Sequence, residues 1–326
     1  MTRLRWLAIT AMGAAALASG SVRAPADDAH VYRVGLLMPG PYPGFGAPLE
    51  QDFAKRGYVV GKNIAFERRD ANWQLASLPA LMAELVAGKV DVVITRSYPV
   101  ALAAKEHGGA IPIVVTEAGD PVGTGLVASV AHPGGTVTGV SEIATELAAK
   151  RLQLLKDTVP TVHSVAILWN LDDTAMNLRY RAAQAEAPKL GITIVAEGVR
   201  APDDFEAAFA DMTKSPPDAL LMVADPLTVF NRQKIIDFAI AHRMPSVFEQ
   251  QAFAREGGFL SYGPNVDETL DRAAAIADRI LRGAKPAELP LELPTRFAFA
   301  INLKTAKAIG MAVPEAALSR ADEVIE

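Results

Sequence analysis

Cysteine is absent from all 326 residues, which excludes a disulfide framework, thiolate chemistry and a cysteine-linked lipid anchor. A basic excess is lacking too. The 32 Lys and Arg against 37 Asp and Glu leave a formal charge of −5, and no Lys/Arg run offers an electrostatic footprint for nucleic acid. The five histidines, His30, His107, His132, His163 and His242, are scattered, with no pair at metal-ligand spacing. No G-x-S-x-G elbow occurs. PGFGAP near Gly44 starts like a dinucleotide loop, but the third glycine is missing and Pro48 follows. The acidic pairs Asp172-Asp173 and Asp203-Asp204 read as a loop pair and helix-start charges. No catalytic residue, metal ligand or cofactor is therefore assigned.

Long uncharged apolar stretches are confined to the start. After Arg3 and Arg5, residues Trp6 to Ala18 form an apolar segment, and Ala16-Leu17-Ala18 offers an A-x-A cleavage site. The segment is short for a membrane span and has the layout of a secretory leader. Residues 1–18 are expected to be a cleaved signal peptide, leaving the mature chain free in a bacterial periplasm. At this length an ordinary core can supply the stability that small secreted domains take from disulfides.

What the chain does contain is one architectural cycle written twice. Val34, Ile64 and Val92 mark strand-like segments spaced by about 30 and 28 residues. Val165, Ile194 and Leu220 mark a second series, spaced by about 29 and 26. Both spacings suit strand–helix–strand units of roughly 30 residues. Between them lie amphipathic helices over Phe45 to Gly57, Leu78 to Gly88, Val100 to His107 and Thr145 to Thr158. In the second half, helices are predicted over Thr174 to Leu190, Asp203 to Thr213, Pro226 to His242 and Asp267 to Arg282. The short apolar strands VAILW and ALLMV fit parallel sheet covered on both faces. The class is α/β, and the strand count favours two lobes over one large sheet.

Several segments together resemble one family. They are GDPVGTGLVASVAHPGGTVTG (Gly119–Gly139), KRLQLLKDTVP (Lys150–Pro160), VAILWN (Val165–Asn170), SYGPN (Ser261–Asn265), and INLKTAKAIG with RADEVIE near the end. In order, over about residues 31–326, the chain resembles the ABC-transporter substrate-binding proteins whose members include tryptophan-binding lipoproteins. The resemblance implies the type I periplasmic-binding-protein fold: two Rossmann-like lobes with parallel sheets, joined by a three-crossover hinge. It assigns residues 31–141 plus about 265–290 to the first lobe, and 142–264 plus about 291–326 to the second. It further implies a solute-binding component that serves an ABC permease and its separate ATPase subunit, with a monomer expected. Two departures stand out. The lipidated cysteine is missing, and Tyr98 falls where relatives often carry a small hydroxyl residue in Gly-Thr-Pro-Ala.

In open α/β sheets, ligands bind beyond the carboxyl ends of the strands. Although aromatics are only 6% of the chain, Tyr42, Phe45, Tyr98, Trp169, Phe248 and Tyr262 all fall at such ends, which suits a flat ligand. For Trp169 and Phe248 a plain core role is an equal alternative. Arg96 ends an apolar strand just before the Ser97-Tyr98-Pro99 turn, where a guanidinium fork suits a carboxylate. A pair with Glu117 on the neighbouring strand end is the equal alternative. Asp120 and Asp225 precede prolines and read first as helix caps, with a ligand ammonium as a second role. Asn170 and Asn265 are candidates for cleft hydrogen bonds or turns. Burying about 150 Å² of ring at about 25 cal/mol/Å² yields roughly 4 kcal/mol, whereas micromolar binding requires about 8 kcal/mol before association costs. One or two charge-assisted hydrogen bonds must make up the difference, so an aromatic carboxylate or aromatic amino acid is favoured. An exported α/β enzyme and a sensor subunit for a membrane receptor are the rival functions.

Overall fold

Alternation of side chains along short apolar strands decides how the two sheets are covered. The computed structural model describes residues 30–41 and 45–326; the expected leader and Tyr42 lie outside the described residues. The first sheet contains β1 (Tyr32–Met38), β2 (Ile64–Asp70), β3 (Val92–Arg96), β4 (Ile113–Thr116) and β5 (Val137–Gly139), all parallel, in the order β2-β1-β3-β4-β5. The helices α1 (Gly46–Lys55), α2 (Leu78–Ala87) and α3 (Tyr98–His107) follow β1, β2 and β3. On β1, Val34 and Leu36 point into one core with Leu49 and Phe53 of α1. Leu37 points the other way, into a core with Leu85 of α2 and Ala101 of α3. Period-two alternation thus buries both faces.

The second sheet has the order β12-β11-β10-β9-β8-β6-β7. Its strands are β6 (Ser164–Asn170), β7 (Thr193–Val199), β8 (Ala219–Met222), β9 (Ser246–Phe248), β10 (Leu260–Pro264), β11 (Phe297–Asn302) and β12 (Glu323–Ile325). Only β10–β11 is antiparallel among these pairings. Its helices are α4 (Ala144–Thr158), α5 (Thr174–Glu186), α6 (Asp204–Lys214), α7 (Pro226–Phe230), α8 (Arg232–Ala241) and α9 (Gln251–Arg255), followed by α10 (Val266–Leu281), α11 (Leu303–Ala308) and α12 (Glu315–Leu318). One helix is out of place by sequence order. After β10 of the second sheet, α10 returns to the first, where Leu270, Ala273 and Ala277 share a core with Phe53 of α1. Arg56 then donates to the Asp271 carboxylate at 2.8 Å and to its carbonyl at 2.9 Å.

The chain therefore passes between the two layers three times: between β5 and α4, between β10 and α10, and before β11. Two of these passages are stitched together, since Ser141 N–H donates to the Glu292 carbonyl and Glu292 N–H to the Gly139 carbonyl, each at 2.9 Å. The helix predicted over Pro226 to His242 is instead two helices broken at Asn231. Its side-chain amide donates back to the Leu227 carbonyl at 3.0 Å, the local competition that makes asparagine a poor mid-helix residue. No helix among the described residues is long and apolar enough to cross a membrane.

Gly263 in β10 is required by a close approach: a Cβ there would lie 2.0 Å from the Glu249 carbonyl oxygen. Gly263→Ala is expected to force β10 away from the segment carrying Glu249 and to cost about 1–3 kcal/mol, the usual range for overpacking. Urea denaturation should show a lower midpoint at unchanged slope; an unchanged midpoint would show that the strand end yields freely.

Candidate functional site

The carboxyl ends of β1, β3 and β4 face those of β6, β8, β9 and β10, and the residues just beyond them meet across a narrow gap. β3 ends in Arg96, whose Nη2 lies 2.8 Å from Glu117 Oε1 while its Nε donates to Oε2 at 2.9 Å. This bidentate pair belongs to the first sheet. From the second, Gln250 reaches over it, donating to Glu117 at 2.8 Å and accepting from Arg96 at 3.3 Å. Beyond β3, Ser97 has φ 79° and ψ 157°, a region nearly reserved for glycine and costing about 1–3 kcal/mol. Glu117 (φ 52°), Trp73 (φ 66°) and Ile143 (φ 46°) are also left-handed. Left-handed backbone thus recurs around the gap and at the first passage between layers.

Deeper in, a second charged chain runs from one layer to the other. Arg151 of α4 donates to Glu249 at 3.0 Å and to the Tyr262 carbonyl at 2.7 Å. The other Glu249 oxygen pairs with Arg179 of α5, which also donates to Glu142 at 3.0 Å. Glu142 lies in the first passage and accepts the Gly119 N–H, from the loop after β4, at 3.2 Å. Burial opposes the charge of Arg179, but Glu249, Glu142 and Asp173 outweigh it and hold its pKa above the ordinary value. Burial lowers that of Arg151, against the pull of Glu249. Burial pushes the Glu142 carboxyl up to about 7; Arg179 opposes the rise, and Glu117 and Glu249 add to it. Asp173, the cap of α5, is pushed up to about 6 by burial and then by Asp225. Arg179 Nε, Asp173 Oδ2 and Ser97 Oγ have no hydrogen-bond partner among the described residues.

Two connected hollows result. The outer one, about 310 Å³, is lined by Pro41, Trp73, Arg96, Gln250, Phe253 and Asn265 among others. The inner one, about 20 Å³, is bounded by Arg96, Ser97, Glu142, Arg179, Asp225 and Glu249 among others. That is room for one water-sized group. At the mouth, Trp73 from the loop after β2 meets Phe230 of α7, ring centroids 5.6 Å apart.

Of the residues expected from sequence, Arg96, Ser97, Glu117, Asp225 and Asn265 border these hollows. Arg96 is paired with Glu117 and also lines both hollows. Asp225 and Asn265 double as helix caps, accepting from Thr228 N–H and Glu268 N–H at 2.9 Å. Asn170 stands behind Asp225, donating to its carboxylate at 2.6 Å. Most of the expected aromatics lie away from both hollows. Phe248 is buried beside Phe253, and Phe45 packs in the first core with the Arg96 guanidinium 5.7 Å from its ring. Trp169 stacks on Tyr180 at 3.8 Å and donates to Asn177 at 3.0 Å. Tyr262 packs on Phe297 and Phe299. Tyr98 is buried near Asp173, its pKa raised chiefly by burial, and Asp120 closes a turn by accepting Gly123 N–H at 2.9 Å. None of these six lines either hollow.

The half-buried ring that lines the gap, Trp73, escaped sequence reasoning, as did Phe253, which borders it from the core. Trp73 follows β2 closely, so the rule of strand carboxyl ends would have found it had it been applied to β2. Phe253 sits on α9, a helix too short for periodicity to reveal. Glu249 and Gln250 directly follow Phe248 at the same strand end. Glu142 and Arg179 carry no local signal, because tertiary packing alone aims them inward, whereas Arg151 lies at helical spacing with Leu147 and Leu154 on the buried face of α4.

Comparison with known proteins fits this architecture. Residues 48–325 match the family model described as ABC transporter substrate binding protein. A tyrosine-binding protein of Clostridioides difficile is 24% identical over 256 residues, covering 78% of this chain and 73% of that protein. The ABC domain from Streptococcus pneumoniae in complex with L-Trp superposes with a TM-score of 0.85 at 23% identity, over 90% of this chain and all of that one. The ligand-free, open structure of a substrate-binding protein with adhesive properties from Clostridium difficile gives 0.66 at 21% identity, over 91% of this chain and 99% of that one. With two α/β lobes of type I periplasmic-binding-protein architecture and a family match along most of its length, the chain belongs to the ABC transporter substrate-binding protein family.

Proposed function

We propose that this substrate-binding protein works in the periplasm as a monomer, trapping a small aromatic carboxylate or aromatic amino acid between its lobes for delivery to an ABC permease. The lobes are taken as residues 31–141 with about 265–290, and 142–264 with about 291–326, hinged at the three passages. The observation that carries the reading is the outer hollow of about 310 Å³, where Trp73 and Phe253 flank a space that also receives Arg96. The Trp73 ring supplies area for an aromatic group, and the guanidinium fork supplies the charge-assisted bonds that ring burial alone leaves wanting. No covalent step is involved; closed and open forms exchange, and the solute stabilises the closed one. ATP hydrolysis belongs to a separate subunit. The tyrosine-binding relative and the L-Trp complex support the solute class, with the higher TM-score falling to the ligand-bound structure.

Native mass spectrometry of freshly purified mature protein is expected to show a small-molecule adduct. A thermal-shift screen should then find stabilisation by L-Trp, L-Tyr or an aromatic carboxylate such as indole-3-acetate. A solute at 100 times its Kd contributes about 2.7 kcal/mol, a Tm rise of about 5 °C or more. Stabilisation by sugars alone, with aromatic acids inert, would overturn the solute class.

A further inference from the structure

The inner hollow gathers more negative charge than its arginines can balance. Glu117, Glu142, Glu249 and Asp225 line it with Arg96 and Arg179, so full ionisation would leave the closed space with two uncompensated carboxylates. Closed-in charge of one sign is costly unless a counter-charge arrives with it. Glu142 is the member best placed to sense closure. It stands in the passage between the layers, with Gly119 of the first presenting its N–H and Arg179 of the second its guanidinium. The two sides are in tight contact, since a Cβ on Gly119 would lie 3.1 Å from Ala175 and 3.2 Å from Arg179. Separating the lobes would pull these partners apart and expose the carboxylate, now 13% exposed, more fully to water. Near the same space Asp173 Oδ2 and Arg179 Nε, both on residues at most 5% exposed, have no partner among the described residues.

We infer that closure of the ligand-free cleft takes up a proton, held on Glu142, so that mild acid shuts the empty receptor. The inference rests on the two-lobed reading of the cleft but not on which solute it holds. The groups facing Glu142 are Arg179 of α5, Arg151 of α4, Glu117 after β4 and Glu249 after β9. The two arginines favour its ionised form and the two glutamates its neutral form, while burial favours the neutral form most. Its pKa is about 7 when closed, against an ordinary 4.5. A group with a higher pKa in the closed form favours closure as pH falls below that value, and the effect levels off below the open-form value. Between pH 8.5 and 5.5 the closed-to-open ratio should rise roughly 30-fold.

Small-angle X-ray scattering on protein stripped of solute by unfolding and refolding tests this directly. The radius of gyration should shrink as pH is lowered, with the step centred near or below pH 7 according to the starting ratio. Glu142→Gln, which mimics the protonated side chain, should lose that part of the response and stay compact at pH 8.5. A wild-type radius that does not change with pH would overturn the inference, and so would a Glu142→Gln curve matching the wild type. Should the variant fail to fold, the wild-type titration still decides the matter. Solute titration at fixed pH is read separately: binding without pH-driven compaction sinks this inference alone, whereas compaction without binding of any aromatic acid sinks the solute class alone.

Discussion

Arg179→Met is expected to lower stability by about 3–5 kcal/mol, the range for removing one partner of a buried ion pair. Arg179 is 2% exposed and holds Glu249 and Glu142 together. Without it, Glu249 keeps Arg151 while Glu142 retains only the Gly119 N–H. The penalty is therefore that of a stranded carboxylate more than of a lost bond. It should depend on pH in a definite sense: protonating Glu142 removes the stranded charge, so the loss should be larger at pH 8.5 than at pH 5.5. Urea denaturation of wild type and variant at both values measures this. A loss below about 1 kcal/mol, of the size seen for exposed pairs, would show that the network is not the buried brace described here.

Arg96→Ala should weaken binding of an aromatic carboxylate by about 10- to 100-fold, the equivalent of one charge-assisted hydrogen bond at about 1.5–3 kcal/mol. The side chain is 4% exposed and already bidentate to Glu117, so some loss of stability will accompany the change. Arg96→Lys separates the two effects. It keeps the positive charge beside Glu117 but has no planar fork, so stability should largely recover while affinity does so only in part. Calorimetry on both variants, with circular dichroism to verify folding, reads the difference. Undiminished affinity in Arg96→Ala would remove this residue from the site.

The fold was far more legible in the sequence than the site, and the reason is physical. Strands such as VAILW declare themselves because parallel sheet buried on both faces demands unbroken apolar runs, and the repeat near 30 residues follows from the length of a strand–helix–strand unit. The return of α10 to the first sheet left no such trace. Its apolar stripe says that a face is buried, not against which sheet, and only family resemblance anticipated it. At the site, the strand-end rule located Arg96, Ser97, Glu117 and Asp225 by topology alone. Aromatic character is a weaker guide, because a ring at a strand end packs inward as readily as outward: Trp169 and Phe248 are in the core, while Trp73 lines the outer hollow. Arg179 shows nothing in its local sequence of the carboxylates Glu249 and Glu142 that it joins.

The central claim is that solute lies between the lobes, touched by both. Hydrogen–deuterium exchange with and without a stabilising aromatic acid tests it most directly. Slowed exchange is expected on both sides of the gap, around Trp73 and at Arg96–Tyr98 in the first layer, and around Glu249–Phe253 in the second. Protection confined to one layer, or found only on a surface away from these segments, would contradict the account.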